Sequence, residues 1–276
     1  MELKIDKAEK LYLHNTTLKT VSDTKIIVPE NANVFYEVIR ITQGTPLFFD
    51  LHINRLQQSL TLSNQPKVND TNLKKGIKEL LKANYVGDKN LKIAVFFSNQ
   101  QPEVYAFFIP SHYPQAQAYT NGVKVKLLSI ERPRPNVKLE NPTLRQSADS
   151  IISQSEAYET LLVNEKGYIT EGSRSNFFAI IDNKIVTPPA GDVLEGITRK
   201  MVIRLAKTNH LPIEERAIHT TEISLMSGAF ITGTSPKVLP ISQIEEHVLY
   251  PIPNLITQLL MLYDELTLTT LQNEQE

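Results

Sequence analysis

One lysine, one glutamate and two glycine-led turns are the residues in this chain whose types and spacing could do chemistry. Lys138 follows Pro135-Asn136-Val137, and Glu171 stands within Thr170-Glu171-Gly172-Ser173. Gly196-Ile197-Thr198-Arg199 opens an amphipathic stretch, and Gly233-Thr234-Ser235 makes a turn. Together they offer an amine, a carboxylate and two places where the backbone can come close to a ligand or adopt a positive φ. Six of the ten glycines fall between Gly167 and Gly233, which places the site in that half of the chain. Other chemistries are excluded. With no cysteine there are no disulfides, thiolate metal sites or Cys nucleophiles. The six histidines are scattered, none at metal-ligand spacing with carboxylates, so no metal is expected. No G-x-S-x-G elbow, Walker loop or dinucleotide fingerprint occurs.

Taken singly, each segment has a plain reading. Lys138 alone is a surface lysine, because lysine is rarely buried. Glu171 alone is a solvated turn residue, Gly196–Arg199 a helix cap and Gly233–Ser235 an ordinary turn. Arg55, on an amphipathic helix, is a surface charge. Composition sets the frame for choosing. The 276 residues are 41% hydrophobic, enough for one large core or two. A net charge of -1 gives no global positive field for nucleic acid or an anionic membrane. The stretch Leu255–Tyr263 is polar-interrupted and far short of a bilayer span, and MELKIDKAEK has no apolar core for a signal peptide. A soluble, cytoplasmic protein is expected.

The elements that must position these residues can be read from periodicity. Val34–Thr42 reads as a strand, Gln43-Gly44-Thr45 as a turn, and Pro46–Phe49 as a second apolar run. Asp50 is the expected N-cap of a helix carrying Leu51, Ile53, Leu56 and Leu60. A second helix opens near Asp70 or Thr71, with Leu73, Ile77, Leu80 and Leu81 on one face and Gly87 to end it. LKIAVFF and VYAFFIP read as a buried hairpin. The expected domains are 1–112 and 121–276, with 113–120 as a linker or a surface loop. Beyond it, GVKVKLLSI alternates as a strand, with Lys124 and Lys126 facing solvent. ERPRPNVKLENP is irregular, and Thr143–Tyr158 is helical. Residues 159–189 hold three or four strands, Thr198–Lys207 a helix and IEERAI a strand. A short helix near Thr220, strands AFITGTS and KVLPI, and a helix over Leu255–Leu266 complete the chain.

In this order, GYITEGSRSNFFAI…TPP…VLEGITRKMVIRLA…AFITGTSPKVLPI resembles the class IV pyridoxal-phosphate aminotransferases. That family includes branched-chain aminotransferases, D-amino acid aminotransferases and aminodeoxychorismate lyases, and the resemblance runs from about Val34 to Ile244. It implies an α+β fold of two domains, a smaller N-terminal α/β domain and a larger C-terminal pseudo-barrel domain. It implies pyridoxal 5′-phosphate as cofactor and a homodimer, with the site in the cleft between domains. By the family pattern Lys138 is the amine that holds the cofactor as an imine and later moves the substrate proton. Glu171 matches the carboxylate beside the pyridine nitrogen. Ile197 and Thr198 match the helix start that grips the phosphate through backbone N–H groups, with Thr234 on the second turn. Arg55, in HINRL, matches the phosphate arginine of the smaller domain. Tyr36, Arg40 and Ser235 fall at substrate-facing positions.

The substrate-facing positions depart most from the family. PENANVFYEVIR has no glycine step before the first strand, although Glu37 and Arg40 match. Asn141 is followed by Pro142 where branched-chain enzymes have Asn-Tyr. FFSNQQPEVYAFF lacks the arginine that reads a substrate carboxylate, leaving Arg40, Arg145, backbone N–H groups or the partner subunit for that task. GSRSN introduces Arg174 beside Glu171, and it is expected to point away. The leading expectation is amino transfer between an amino acid, branched-chain or otherwise apolar, and a 2-oxo acid, with Phe35 and Tyr36 suiting an apolar side chain. The alternatives are a lyase forming 4-aminobenzoate and pyruvate, and a non-catalytic relative acting as a binding module.

Overall fold

The computed structural model describes residues 2–22, 25–84 and 87–273. The chain divides into two compact units of mixed α and β structure. The first is Met1–His112 with Val137–Glu140 and Thr269–Glu276, and the second is Tyr113–Asn136 with Asn141–Leu268.

In the first unit an antiparallel sheet runs in the order Thr17–Thr20, Leu11–His14, Gln101–Ile109, Lys89–Ser98, Phe35–Thr42, Thr45–Pro46. The expected hairpin turns at Asn99-Gln100, both at positive φ, a geometry that matches the twist of the strands it joins. Helices Phe49–Leu62 and Asp70–Asn84 cover one face. Ile53, Leu56, Leu60, Leu73, Ile77 and Leu80 recur at helical spacing and pack with Ile39, Leu91 and Ile93. Burial alternates along Phe35–Thr42, which sets Phe35, Glu37, Ile39 and Ile41 on the helix side and Tyr36, Val38 and Arg40 on the other.

Three local expectations are corrected here. The first helix begins at Phe49, not after Asp50: Phe48 occupies the N-cap position in the left-handed region, with no side-chain cap. Asp50 lies inside the first turn, where its charge suits the helix dipole, and it pairs with Lys74 at 2.6 Å. The second helix ends at Asn84, before Gly87. Asn84 is tied to strand Leu11–His14 instead, its amide donating to the Leu11 carbonyl at 3.0 Å and its side-chain oxygen accepting from the Leu11 N–H at 3.0 Å. Residues 85–86 lie outside the described set. Phe35, expected beside a substrate, is buried in the helix-side core, edge-on to Phe97.

In the second unit the sheet closes on itself. Asn176–Ile181, Gly228–Gly233, Lys237–Ile244, Val123–Ser129, Glu159–Val163 and Tyr168–Gly172 are neighbours in turn, and the last pairs back onto the first through Glu171 and Asn176. Val125, Leu161, Phe177, Ile231 and Leu239 are among its apolar core. Lys184–Thr187 and Ile213–Glu215 extend one side of the ring, and Ile218–His219 pairs with Tyr168–Gly172. IEERAI is thus two short strands, not one. Residues 113–120 carry most of a helix, Ala116–Asn121, packed on Lys237–Ile244. The terminal helix is longer than periodicity indicated, Asn254–Asn273. No helix among the described residues is long and apolar enough to cross a membrane.

Helix Pro142–Gln154 stops four residues short of Tyr158 and explains the odd Asn141-Pro142 pair. Asn141 is its N-cap, accepting from the Leu144 N–H at 3.0 Å, and Pro142 takes the first helical position, where a missing N–H costs nothing. Asn141→Ala should therefore lower stability by about 1 kcal/mol, read from denaturant unfolding. An unchanged midpoint would show that the cap carries no weight.

Candidate active site

Lys138 belongs to a short extended segment stitched into the first unit. Its carbonyl accepts from the Tyr36 N–H at 3.1 Å, its own N–H donates to Ser59 Oγ at 3.2 Å, and the Glu140 N–H donates to the Val34 carbonyl at 2.9 Å. These bonds hold an otherwise irregular stretch against the sheet, so the lysine stem leaves from a fixed backbone. Lys138 is half-buried, and its Nζ stands 4.4 Å from the centroid of the Tyr36 ring. The free surface lysine of the plain reading is not what folds. Lys92 faces the same ring at 5.0 Å and pairs with Glu140. This cation lies on strand Lys89–Ser98, four residues ahead of the FFSNQQPEVYAFF segment that lacks an arginine.

Behind the sheet, Arg55 is buried and forks onto Glu37: Nε donates to Oε1 at 2.8 Å and Nη2 to Oε2 at 2.6 Å. His52, one helical turn earlier, contributes Nδ1 to the same carboxylate at 2.7 Å. Burial alone would push the Glu37 carboxyl up, but Arg55 and then His52 outweigh it and hold it at about 2. Burial lowers the His52 imidazole below its ordinary value despite Glu37, with the Arg55 and Lys138 charges acting in the same direction. Nothing in HINRL marked Arg55 as one arm of a buried ion pair. Strand alternation, which turns Glu37 inward, was the available signal.

In the second unit Glu171 is buried at the end of strand Tyr168–Gly172. Its Oε1 accepts from Arg132 Nε at 2.6 Å, and its Oε2 accepts from the Leu194 N–H at 3.2 Å and from Asn176 Nδ2 at 3.4 Å. The cation beside it is therefore Arg132, from the proline-rich run before Lys138. Arg174 points away as expected, its side chain exposed and 3.7 Å from Asp149. Neither Arg132 nor Asn176 was singled out from sequence, since each reaches Glu171 only through tertiary folding.

The turn after Glu171 is knit by a second buried carboxylate. Glu159 accepts from the Ser173 hydroxyl at 2.5 Å, the Ser175 hydroxyl at 3.1 Å and the Arg174 N–H at 3.1 Å. Arg145, a candidate for substrate, donates Nη1 to Ser173 Oγ at 3.0 Å and pairs with Asp149 at 2.9 Å. Helix Ile197–Thr208 begins with Ile197 and Thr198 both buried behind Gly196. Its first-turn N–H groups have no carbonyl a turn earlier, so they form an anion site in type. Thr234 and Ser235 lie half-buried in the turn joining Gly228–Gly233 to Lys237–Ile244. Arg40 lies on the Tyr36 side of its strand. In the second unit a buried carboxylate and a glycine-led helix start are of the types that a phosphorylated ring cofactor needs, and in the first unit an amine stands beside an aromatic ring, as an aldehyde-bearing cofactor needs. Among the described residues no cluster of His, Cys, Asp or Glu could hold a metal ion.

Comparison with known proteins agrees. The family model described as amino-transferase class IV matches residues 34–244. The chain is 29% identical over 225 residues to a probable branched-chain-amino-acid aminotransferase of Thermotoga maritima, covering 77% of each. It is also 29% identical over 226 residues to the D-alanine aminotransferase of Bacillus licheniformis, covering 76% of this chain and 78% of that one. Its fold is similar to the branched-chain amino acid aminotransferase of Thermobaculum terrenum in its PLP (holo) form, with a TM-score of 0.82, 22% identity and 95% of each chain covered. The buried Glu171, the glycine-led helix start and a family match spanning most of the sequence lead to one conclusion: the chain belongs to the class IV aminotransferases.

Proposed function

We propose that this aminotransferase uses pyridoxal 5′-phosphate to pass an amino group from a branched-chain or similarly apolar L-amino acid to a 2-oxo acid, working as a homodimer. The observation that carries the substrate class is the Tyr36 ring beside the Lys138 amine, an aromatic wall next to the reacting end. The likeness to the Thermotoga maritima protein, named as a probable branched-chain enzyme, supports it. When bound, the cofactor supplies an aldehyde that accepts the amino group and a ring that draws off the electron pair left at the substrate Cα. Lys138 holds the cofactor and carries the proton from Cα. Glu171, its carboxylate oriented by Arg132 and the Leu194 N–H, accepts from the ring nitrogen and keeps its proton in place. Ile197, Thr198 and Thr234 bind the phosphate, and Arg55, held rigid by Glu37, is its cation. Arg40 and Ser235 face the substrate.

Glu171→Gln should lower kcat by about 10²-fold while changing cofactor affinity by under about tenfold, because the interaction strengthens as charge develops on the ring. A larger loss in affinity than in rate would place Glu171 in binding alone.

The substrate class is tested by adding single amino acids to the full-length protein carrying cofactor and following its near-visible absorbance. L-valine, L-leucine or L-isoleucine should convert the lysine-bound form to the pyridoxamine form. Conversion by D-alanine and not by these would favour a D-amino acid enzyme, the reading motivated by the Bacillus licheniformis relative. No near-visible band at all would overturn the cofactor assignment.

A further inference from the structure

Glu171 and the start of helix Ile197–Thr208 lie at two ends of one hydrogen-bonded chain, and Asn176 is its middle. Asn176 is buried and pairs with Glu171 across the two strands. Its Nδ2 donates to the Leu194 carbonyl at 2.7 Å and lies 3.4 Å from Glu171 Oε2. The Leu194 N–H donates to that same carboxylate oxygen, while its carbonyl also accepts from the Gly196 N–H at 2.7 Å. One residue of loop is thus gripped by the carboxylate on one side and by the asparagine amide on the other. Gly196, the N-cap of the helix, presses on the same asparagine: a Cβ there would lie 2.0 Å from Asn176 Oδ1. Its φ of -59° is open to any residue, so space and not backbone conformation requires glycine at this position.

We propose that Asn176 is a positioning residue that couples the carboxylate end of the cofactor site to its phosphate end, by clamping Leu194 so that Glu171 and the helix start at Ile197 are set together. The proposal rests on the cofactor reading above. Its physical content is that a disturbance at Glu171 reaches the helix N-terminus through the Leu194 N–H and carbonyl, although Glu171 itself is assigned no contact with phosphate. Glu159, which fixes the intervening turn, holds the two strands in place but touches neither Leu194 nor Gly196 in the hydrogen bonds described.

The experiment compares equilibrium binding of pyridoxal 5′-phosphate with that of pyridoxal, which lacks the phosphate, to the full-length protein. The ratio of the two affinities isolates the phosphate end. If the ends are coupled, Glu171→Gln lowers this ratio by about five- to tenfold in the presence of Asn176. In the Asn176→Ala background the ratio starts low, and Glu171→Gln moves it by less than about twofold. A generally loosened fold would weaken both ligands alike and leave the ratio untouched. A second arm uses the close contact: Gly196→Ala should lower the ratio, and adding Asn176→Ala should restore part of it by opening the space for the new methyl group. A ratio that ignores Glu171→Gln, or responds equally with and without Asn176, overturns the coupling, as does a Gly196→Ala effect that Asn176→Ala only deepens. Wild-type protein that binds neither ligand overturns the cofactor reading instead, so the two failures are distinct.

Discussion

Lys138→Ala should reduce turnover by about four orders of magnitude and remove the near-visible band that the wild-type protein shows with pyridoxal 5′-phosphate. No neighbouring group replaces the amine in kind on the same backbone. Lys92 approaches Tyr36 from the next strand, but its ammonium is engaged with Glu140. The fold should survive the substitution, because segment 137–140 is held by backbone bonds to Tyr36, Ser59 and Val34 that the side chain does not make. Stability should stay within about 0.5 kcal/mol of wild type, as for substitutions away from buried networks. Residual turnover within tenfold of wild type, with the band intact, would remove Lys138 from the chemistry. Lys124 and Lys126 would then need testing, although each pairs with a carboxylate, Glu156 and Glu245, on its own unit.

Glu37→Gln should cost about 3–5 kcal/mol of stability, the largest structural effect expected from a single isosteric change here. The substitution keeps shape and removes charge, leaving the Arg55 guanidinium buried without its counter-ion. The pH dependence follows the same residues. Glu37 titrates at about 2 in the folded chain against an ordinary 4.5, so its contribution is fully present above pH 4.5. It is lost as pH falls toward 2, on the order of 3 kcal/mol in all. His52 acts in the same direction at higher pH: lowered in the folded chain, it takes up a proton more readily when unfolded, so acidification below its ordinary 6.5 favours unfolding. Denaturant midpoints measured from pH 7 to pH 3 should fall for wild type and fall less steeply for Glu37→Gln below pH 4.5. Parallel curves would show that the pair contributes nothing to acid sensitivity.

This ion pair also bears on the phosphate role proposed for Arg55. A guanidinium already forked onto a carboxylate is neutralised in part but cannot rotate away, so what Glu37 removes in net charge it returns in fixed orientation. Stability and cofactor affinity should therefore fall together in Glu37→Gln, whereas Lys138→Ala should separate them.

Much of the architecture was legible in the amino-acid sequence because it rests on local rules. Leu73, Ile77 and Leu80 recur at helical spacing, and the runs flanking Asn99-Gln100 are apolar enough to be a buried hairpin; both are as read. The family resemblance, too, is a property of motif order, which is why TEGS, GITR and GTS could be aligned to roles before any distance was known. Boundaries were less legible where a tertiary contact overrode the local signal. Asp50 has the chemistry of an N-cap, yet the helix starts two residues earlier than that cap would set it, and Asn84 ends the next helix by bonding to Leu11 rather than at a glycine.

What only the tertiary structure decided is the set of partners. Arg132 on Glu171, Arg55 and His52 on Glu37, and Asn176 on Leu194 join residues that lie 39, 18, 15 and 18 positions apart along the chain. Sequence periodicity reports which face of an element is apolar, not which polar group on another element will meet it. Burial then makes those meetings obligatory, since a carboxylate or guanidinium taken out of water must find its counterpart in the protein. The chemistry of this chain is therefore written in residue types that a reader of the sequence can pick out. Which of those residues hold one another in place is set by the closing of a six-stranded ring and by a sheet that turns Glu37 inward.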